Sequence, residues 1–323
     1  MLARRRWLSM LALVLLPTIA AAQDYPNKQV RVVVPWVVGG GADAVARILG
    51  QKLNEMWSQP VIVDNRGGAT GTIGTDVVAK APGDGYTLLL GNNSTYVYAV
   101  TLYKKLPYDP DKDLTPISRV AEVPHVLSVH PSVPVKTAKE LVEYIKANPG
   151  KLSFGSSGTG STPHVAGELF MNLTGTKLLH VPYKGAGQSV ADTVSGQVQV
   201  SFDTLPSVVS FIQAGRLRPL AVLGPKRVAS LPDVPTSAEA GYPGAEGSTW
   251  YGLYGPANMP PAVVKKIHDD VAVAVRMPDV KSRLDTLGAV ETASMSSEEL
   301  KANVKAEVAK YATVLKNMGV EGQ

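Results

Sequence analysis

The sequence has no cysteine. That removes disulfides, thiolate nucleophiles, iron–sulfur clusters and Cys-ligated zinc together. Its five histidines, at 125, 130, 164, 180 and 268, show no metal-ligand spacing, so neither metal nor cofactor is expected. No Lys precedes the last hydroxyl of the Gly/Ser/Thr loop at 155–161, which excludes a phosphate-binding Walker loop. In the same loop Thr159 stands where a nucleophile elbow centred on Ser157 needs glycine. Beyond the N-terminus no apolar run approaches the ~18 residues of a membrane span. An excess of one charge is also missing once the leader is set aside. The chain carries 32 Lys+Arg against 27 Asp+Glu, but Arg4, Arg5 and Arg6 precede an apolar stretch from Leu8 to Ile19 and the small-residue site Ala20-Ala21-Ala22. That is the layout of a cleavable secretory signal, residues 1–22. Without it the balance is 29 basic to 27 acidic residues, which gives no electrostatic case for nucleic acid or an anionic membrane.

What is present is an alternation of short β-branched runs and amphipathic helices. Gln29–Pro35 reads as a strand, Gly39-Gly40-Gly41 as a loop, and Asp43 as a possible N-cap for a helix bearing Val45, Ile48, Leu49 and Leu53. Val61–Val63 and Tyr86–Leu90 continue the pattern, which predicts a parallel sheet flanked by helices. A second α/β unit follows, with a capping box at Thr137/Glu140 and strands near 151–155, 178–181, 198–202 and 217–223. Two extended segments, near 120 and 250, flank that unit. The simplest assembly places residues 23–124 and 249–323 in one domain and 125–248 in another. Two crossing strands then act as a hinge over an interdomain cleft.

Open sheets bind ligands beyond the carboxyl ends of their strands, and here those ends carry small polar loops. Gly39-Gly40 with Asp43 can present helix N–H groups to an anion, or can be a plain tight turn. Ser156, Ser157, Thr159, Gly160 and Ser161 form a donor-rich loop with no activated nucleophile. His164 lies three residues on, in the first turn of a helix, where a structural role is the default reading. Tyr183 and Gly185 offer a ring and a backbone approach. Asp203 ends a strand; it can take a ligand amine or hydroxyl, or can cap the next helix. Asn93 supplies a neutral donor and acceptor at a strand end.

Several stretches, in order along the chain, resemble the tripartite tricarboxylate transporter receptor family, the Bug solute-binding proteins. They include VVVPWVVGGGADAVAR (32–47), VIVDNRGGATGTIGTDVVAKAPGDGYTLL (61–89), GSSGTGSTPHVAGELF (155–170) and HVPYKGAGQSVADTVSGQVQVSFD (180–203). The resemblance implies an α/β, two-domain periplasmic binding protein of type II topology, closing over a small carboxylate. It implies that loop amides and bridging water around Trp36 to Asp43 hold the carboxylate, with Ser156–Ser161, Tyr183–Gly185 and Asp203 on the opposite wall. Val38 stands where the family has proline, which restores a backbone N–H.

The function so implied is capture of a small organic acid or amino acid for integral-membrane transporter subunits, by an exported, periplasmic, monomeric protein without enzymatic activity. The other readings are a receptor feeding a signalling system and a periplasmic hydrolase using Ser157 and His164. The second lacks a placed nucleophile–base pair.

Overall fold

The computed structural model describes residues 25–291 and 295–317. The leader at 1–22 lies outside them. The chain opens with β1 (Val30–Val34), α1 (Gly41–Trp57), β2 (Val61–Asn65), α2 (Thr72–Ala79) and β3 (Thr87–Asn92). β1 pairs in parallel with β2 on one side and β3 on the other. Its side chains are nearly all buried, as a strand covered on both faces requires. α1 buries Val45, Ala46, Ile48, Leu49 and Leu53, the stripe its sequence spacing foretold.

After β3 the chain turns through a wide helical turn, Ser94–Tyr98, into α3 (Ala99–Leu102), then runs out as the long β4 (Leu114–Pro124). The second lobe contains β5 (Val126–Val129), α4 (Ala138–Ala147), β6 (Ser153–Ser156), α5 (Thr162–Thr174), β7 (Leu179–Pro182), α6 (Ala186–Val194), β8 (Val200–Ser201), α7 (Leu205–Gln213) and β9 (Arg218–Val222). The chain returns as β10 (Ser248–Pro256) and ends with α8 (Pro261–Ala274), α9 (Pro278–Thr286), β11 (Val290–Glu291) and α10 (Ser297–Asn317).

The first sheet has the order β11-β4-β10-β3-β1-β2 and the second β7-β6-β8-β5-β9. Each packs its own core: Val32, Leu53, Leu90 and Ile267 lie in one, and Leu127, Leu141, Phe154, Phe170 and Phe202 in the other. Neither sheet is purely parallel. β10 runs antiparallel to both β3 and β4, and β5 runs antiparallel to β8 and β9. The parallel sheet expected from the first strands forms as β2-β1-β3, and the antiparallel pairing beside it enters with β10, the returning pass, which lies between β3 and β4.

The β4–β10 pair is the connection between the lobes, registered from Pro124 opposite Ser248 to Leu114 opposite Pro256. At its crossing, His125 donates its N–H to the Gly247 carbonyl (3.0 Å), accepts from Leu223 N–H (2.8 Å), and sets its ring Nε2 2.7 Å from Thr249 Oγ1. Burial pushes the His125 imidazole down to about 3, so it is neutral there. The capping box expected at Thr137/Glu140 forms, and a second closes the start of α10. Thr137 Oγ1 accepts the Glu140 N–H at 3.1 Å. Ser296 Oγ accepts that of Glu299 at 3.2 Å, and the Glu299 carboxylate returns to the Ser296 N–H at 2.7 Å.

Candidate ligand-binding cleft

The carboxyl ends of β1 and β3 face those of β6, β7 and β8 across a cleft. The first lobe lines it with Trp36, Gly40, Gly41, Ala42, Asn92 and Tyr251, and the second with Ser157, Thr162, Ala186, Asp203, Thr204 and Ser207. The cleft is narrow, because the lobes are drawn together. Direct bonds span them. Thr70 Oγ1 donates to the Thr159 carbonyl at 2.7 Å, Thr162 N–H donates to Ser94 Oγ at 3.0 Å, and the Thr162 and Thr249 hydroxyls lie 2.6 Å apart.

Four helices aim their N-termini here. Their N-caps are Gly40 for α1, Ser161 for α5, Gly185 for α6 and Thr204 for α7, and none of these makes a side-chain cap bond. First-turn N–H groups at those ends lack intrahelical partners, and each helix end carries roughly half a positive charge. Among the described residues no Lys, Arg or His lines the cleft. The site is therefore electropositive through backbone dipoles alone, which suits an anion.

The glycine loop works through close approach. A methyl on Gly41 would collide with the Tyr251 hydroxyl and sit 3.0 Å from Thr204 Oγ1. Gly39 adopts φ +92°, a left-handed conformation that favours glycine. Asp43 is not the N-cap. It occupies the first turn of α1, and its Oδ2 reaches back 3.2 Å to the Gly39 N–H while Oδ1 pairs with Arg47 at 2.9 Å. Burial opposes ionisation of Asp43, but the bonds from Arg47 and Gly39 prevail and hold its carboxyl below the usual range. Its role is to tie the loop, because a first-turn acid is favoured by the dipole and can satisfy an upstream N–H.

The donor-rich loop divides similarly. Ser157 faces the cleft. Ser156 is a pin: its Oγ accepts the Gly158 N–H at 3.2 Å and lies 2.6 Å from His180 Nε2. His164 Nδ1 accepts the Gly160 N–H at 3.0 Å, and its ring stacks on His180 with centroids 3.8 Å apart. Burial first, and His164 second, push His180 down to about 3. The imidazole pair thus braces the loop from behind, in the structural role that was the default for His164. Thr159 contributes its carbonyl to the interlobe bond. Ser161 heads α5 with a buried hydroxyl that meets no partner among the described residues.

Other sequence candidates fall outside the lining. Tyr183 donates its hydroxyl to Asp192 on α6 at 2.8 Å. Gly185 packs against Val37 of the first lobe. Val38 is 61% exposed and turns its side chain to solvent. Asn93 donates to the Ser248 carbonyl at 3.1 Å, and its neighbour Asn92 takes the cleft position. Residues that sequence reasoning missed are Tyr251, brought by the returning strand from far along the chain, and Thr204. The latter had a readable signal, a Thr N-cap followed by Pro in the first turn.

With Thr204 capping α7, Asp203 is left free of that duty. It is 1% exposed, and neither carboxyl oxygen meets a hydrogen-bond partner of good geometry among the described residues. Burial pushes its pKa up to about 7, the Thr204 N–H opposing weakly.

Two α/β lobes joined by crossing strands, with a cleft that is ringed by helix N-termini and lined by no cationic side chain among the described residues, define a two-lobed solute-binding protein. Residues 45–320 match the tripartite tricarboxylate transporter family receptor, and the chain belongs to that family. Over 95% of its length it is 39% identical to the UPF0065 protein in the tcbD-tcbE intergenic region of Pseudomonas sp. (strain P51), covering 92% of that relative. Among solved structures it is similar to the periplasmic binding protein BugD (TM-score 0.88, 36% identity, 93% of this chain and 100% of that one). It is equally similar to R. palustris Rpa4515 with adipate (TM-score 0.90, 36% identity, 93% and 100%). The family is one of solute-binding receptors, and its members include periplasmic binding proteins. Among the described residues no helix is long and apolar enough to cross a membrane.

Proposed function

We propose that this protein is an exported periplasmic receptor that captures a small carboxylate between its lobes and delivers it, unaltered, to the membrane subunits of a tripartite transporter. The observation that carries the reading is the convergence of four helix N-termini on a cleft without a cationic side chain. A related chain of known structure holds adipate, which supports a dicarboxylate-sized guest. The carboxylate is received by N–H groups around Gly40–Ala42 and at Ser157, those of Gly158, Gly160, Ser161 and Thr162 being taken within the protein, with Asn92, Thr204, Ser207 and Tyr251 as neutral partners. Residues up to Pro124 and from Ser248 onward act as one lobe, and those between as the other, in a monomer.

Hydrogen bonds to a charged group contribute ~1.5–3 kcal/mol each. Three or four of them, after immobilisation and closure costs, leave roughly −8 kcal/mol, a micromolar dissociation constant. Transport is favoured over hydrolysis because Ser157 has no imidazole partner among the described residues. The Ser–His pair that does exist, Ser156 with His180, has its serine fully buried and off the cleft. A calorimetric screen of carboxylates, with scattering to follow compaction, tests the reading. Micromolar binding with a reduced radius of gyration is expected; failure of every carboxylate to bind overturns it.

A further inference from the structure

Among the described residues Asp203 is the one ionisable carboxyl on the cleft wall, and its placement is costly. Both its oxygens are buried without a partner of good geometry, in a site whose other features attract anions. An ionised Asp203 would repel the carboxylate the cleft is built to take. A protonated Asp203 would leave acceptor sites unfilled. The arrangement resolves if the guest brings a hydrogen-bond donor to this carboxyl while its own carboxylate meets the helix ends. Resting on the carboxylate reading above, we propose that Asp203 selects 2-amino and 2-hydroxy acids over plain carboxylates of the same skeleton.

The donor must be close to the carboxylate. Asp203 immediately precedes Thr204, the N-cap of α7, so the carboxyl and one of the anion-binding helix ends are adjacent in the chain. A Cβ on Gly41 would stand 3.0 Å from Thr204 Oγ1, so the end of α1 that receives the carboxylate also neighbours this corner, and a donor on the carbon next to the ligand carboxylate suits both. An ammonium is the stronger partner, since charge-assisted bonds in a dry site are about twice as strong as neutral ones.

The pKa near 7 gives the two ligand types opposite pH trends. An ammonium needs Asp203 ionised, so affinity rises with pH up to about 7 and then levels. A plain carboxylate needs it protonated, so affinity is level below about 7 and falls above. Among the described residues, Tyr251 from β10 is the titratable group coupled to Asp203, and burial drives its phenol far above neutrality. Around the cleft, His125 before β5 is held neutral by burial, and Asp43 of α1 is held ionised by Arg47. His164 of α5 faces Glu168 and His180.

The test is calorimetry with nine acids on three skeletons: propionate, lactate and alanine; succinate, malate and aspartate; glutarate, 2-hydroxyglutarate and glutamate. Each is titrated at pH 6 and pH 8 into the wild type and D203N. The expected result at pH 8 is that, on the skeleton that fits, the amino or hydroxy acid binds ~10-fold or more tighter than its parent. In D203N the ratio collapses toward one and the opposed pH trends vanish, which also separates Asp203 from His164. If a plain acid binds the wild type as tightly as its substituted forms, the selection is refuted while the carboxylate reading stands. If none of the nine binds, the selection is refuted, and the carboxylate reading falls with it only when the wider carboxylate screen, adipate included, is also silent. Should D203N fail to fold, the wild-type ratios and the signs of their pH trends still decide.

Discussion

Closure over the cleft depends on the absence of a side chain at position 185. Gly185 heads α6 with φ 167°, extended backbone that alanine adopts without strain. The only consequence of Gly185→Ala is therefore steric, and it falls across the lobe boundary. The new methyl would collide with Val37 Cγ2 and stand 3.4 Å from Val37 Cβ and 3.6 Å from Cγ1. Val37 can relieve the clash only by turning its Cβ hydrogen toward position 185, which moves both of its methyls from their present packing. Overpacking of this kind costs ~1–3 kcal/mol. The penalty applies to the closed form alone, so ligand dissociation constants should rise about 5- to 150-fold, at 1.4 kcal/mol per decade. The ligand-free protein can part its lobes and should melt within about a degree of wild type, an interval small against the ~2–4 °C per kcal/mol of a domain this size. Calorimetry on the tightest acid measures the first effect, scanning fluorimetry the second. Adding Val37→Ala should restore most of the lost affinity. An unchanged dissociation constant would refute the reasoning. A melting temperature lowered by many degrees would show that Gly185 serves the fold of its own lobe.

Three further outcomes follow from the buried polar groups. Asp203→Asn should stabilise the ligand-free protein at pH 8: the folded carboxyl titrates near 7 against ~3.9 unfolded, so stability falls as pH rises across that window. The gain is at most on the order of 4 kcal/mol and should disappear at pH 3; urea melts at both pH values check it. His125 runs the other way, since its folded pKa of about 3 lies below the unfolded value of ~6.5. Its contribution is whole above ~6.5 and is lost by about 1.4 kcal/mol per pH unit on acidification, so His125→Gln should flatten the decline between pH 6.5 and 5, and equal slopes would count against it. Trp250 Nε1 donates to Glu307 Oε2 at 2.8 Å, joining β10 to α10; Trp250→Phe strips that bond from a carboxyl already pushed up by burial, and should cost ~1–3 kcal/mol, seen as a melting temperature lower by several degrees.

Much of the fold was legible because it is written locally. The stripe of α1, the boxes at Thr137/Glu140 and Ser296/Glu299, and the β-branched runs each specify an element within a few residues. The turn at Ser94–Tyr98 and α3 went unread because STYVYAVTL alternates between helix and strand preferences. Tertiary packing decides it there: Tyr96 stacks on Tyr254 at 3.8 Å and on Trp250 at 5.8 Å. The segments near 120 and 250 are legible as crossing strands, but nothing local shows that β10 also pairs with β3. In the cleft, sequence found the loops but not which member of each loop faces inward. Asn92 and Asn93, or Ser156 and Ser157, differ by one position at the end of a strand, and that single step turns the side chain away from the cleft. The two possibilities for Asp203 were equal in the sequence; the hydroxyl of Thr204 next to it marks the residue that occupies the cap.

The absence of a cation from the cleft has its own logic for a carrier. An arginine fork would bind a carboxylate bidentately and strongly, but a guest held that way leaves slowly, because affinity differences reside mostly in the off-rate. Helix ends and hydroxyls divided between two lobes behave differently. Separating the lobes removes half of the partners at once, so the same opening that the Gly185–Val37 contact gauges also abolishes most of the binding free energy. Asp203 adds to this in the proposed scheme. Its unpaired carboxyl makes the empty closed state expensive, so closure is favoured chiefly when a guest with the right donor is inside. A transporter that recognises the closed form would then meet few empty receptors, and selectivity and delivery would draw on one buried group.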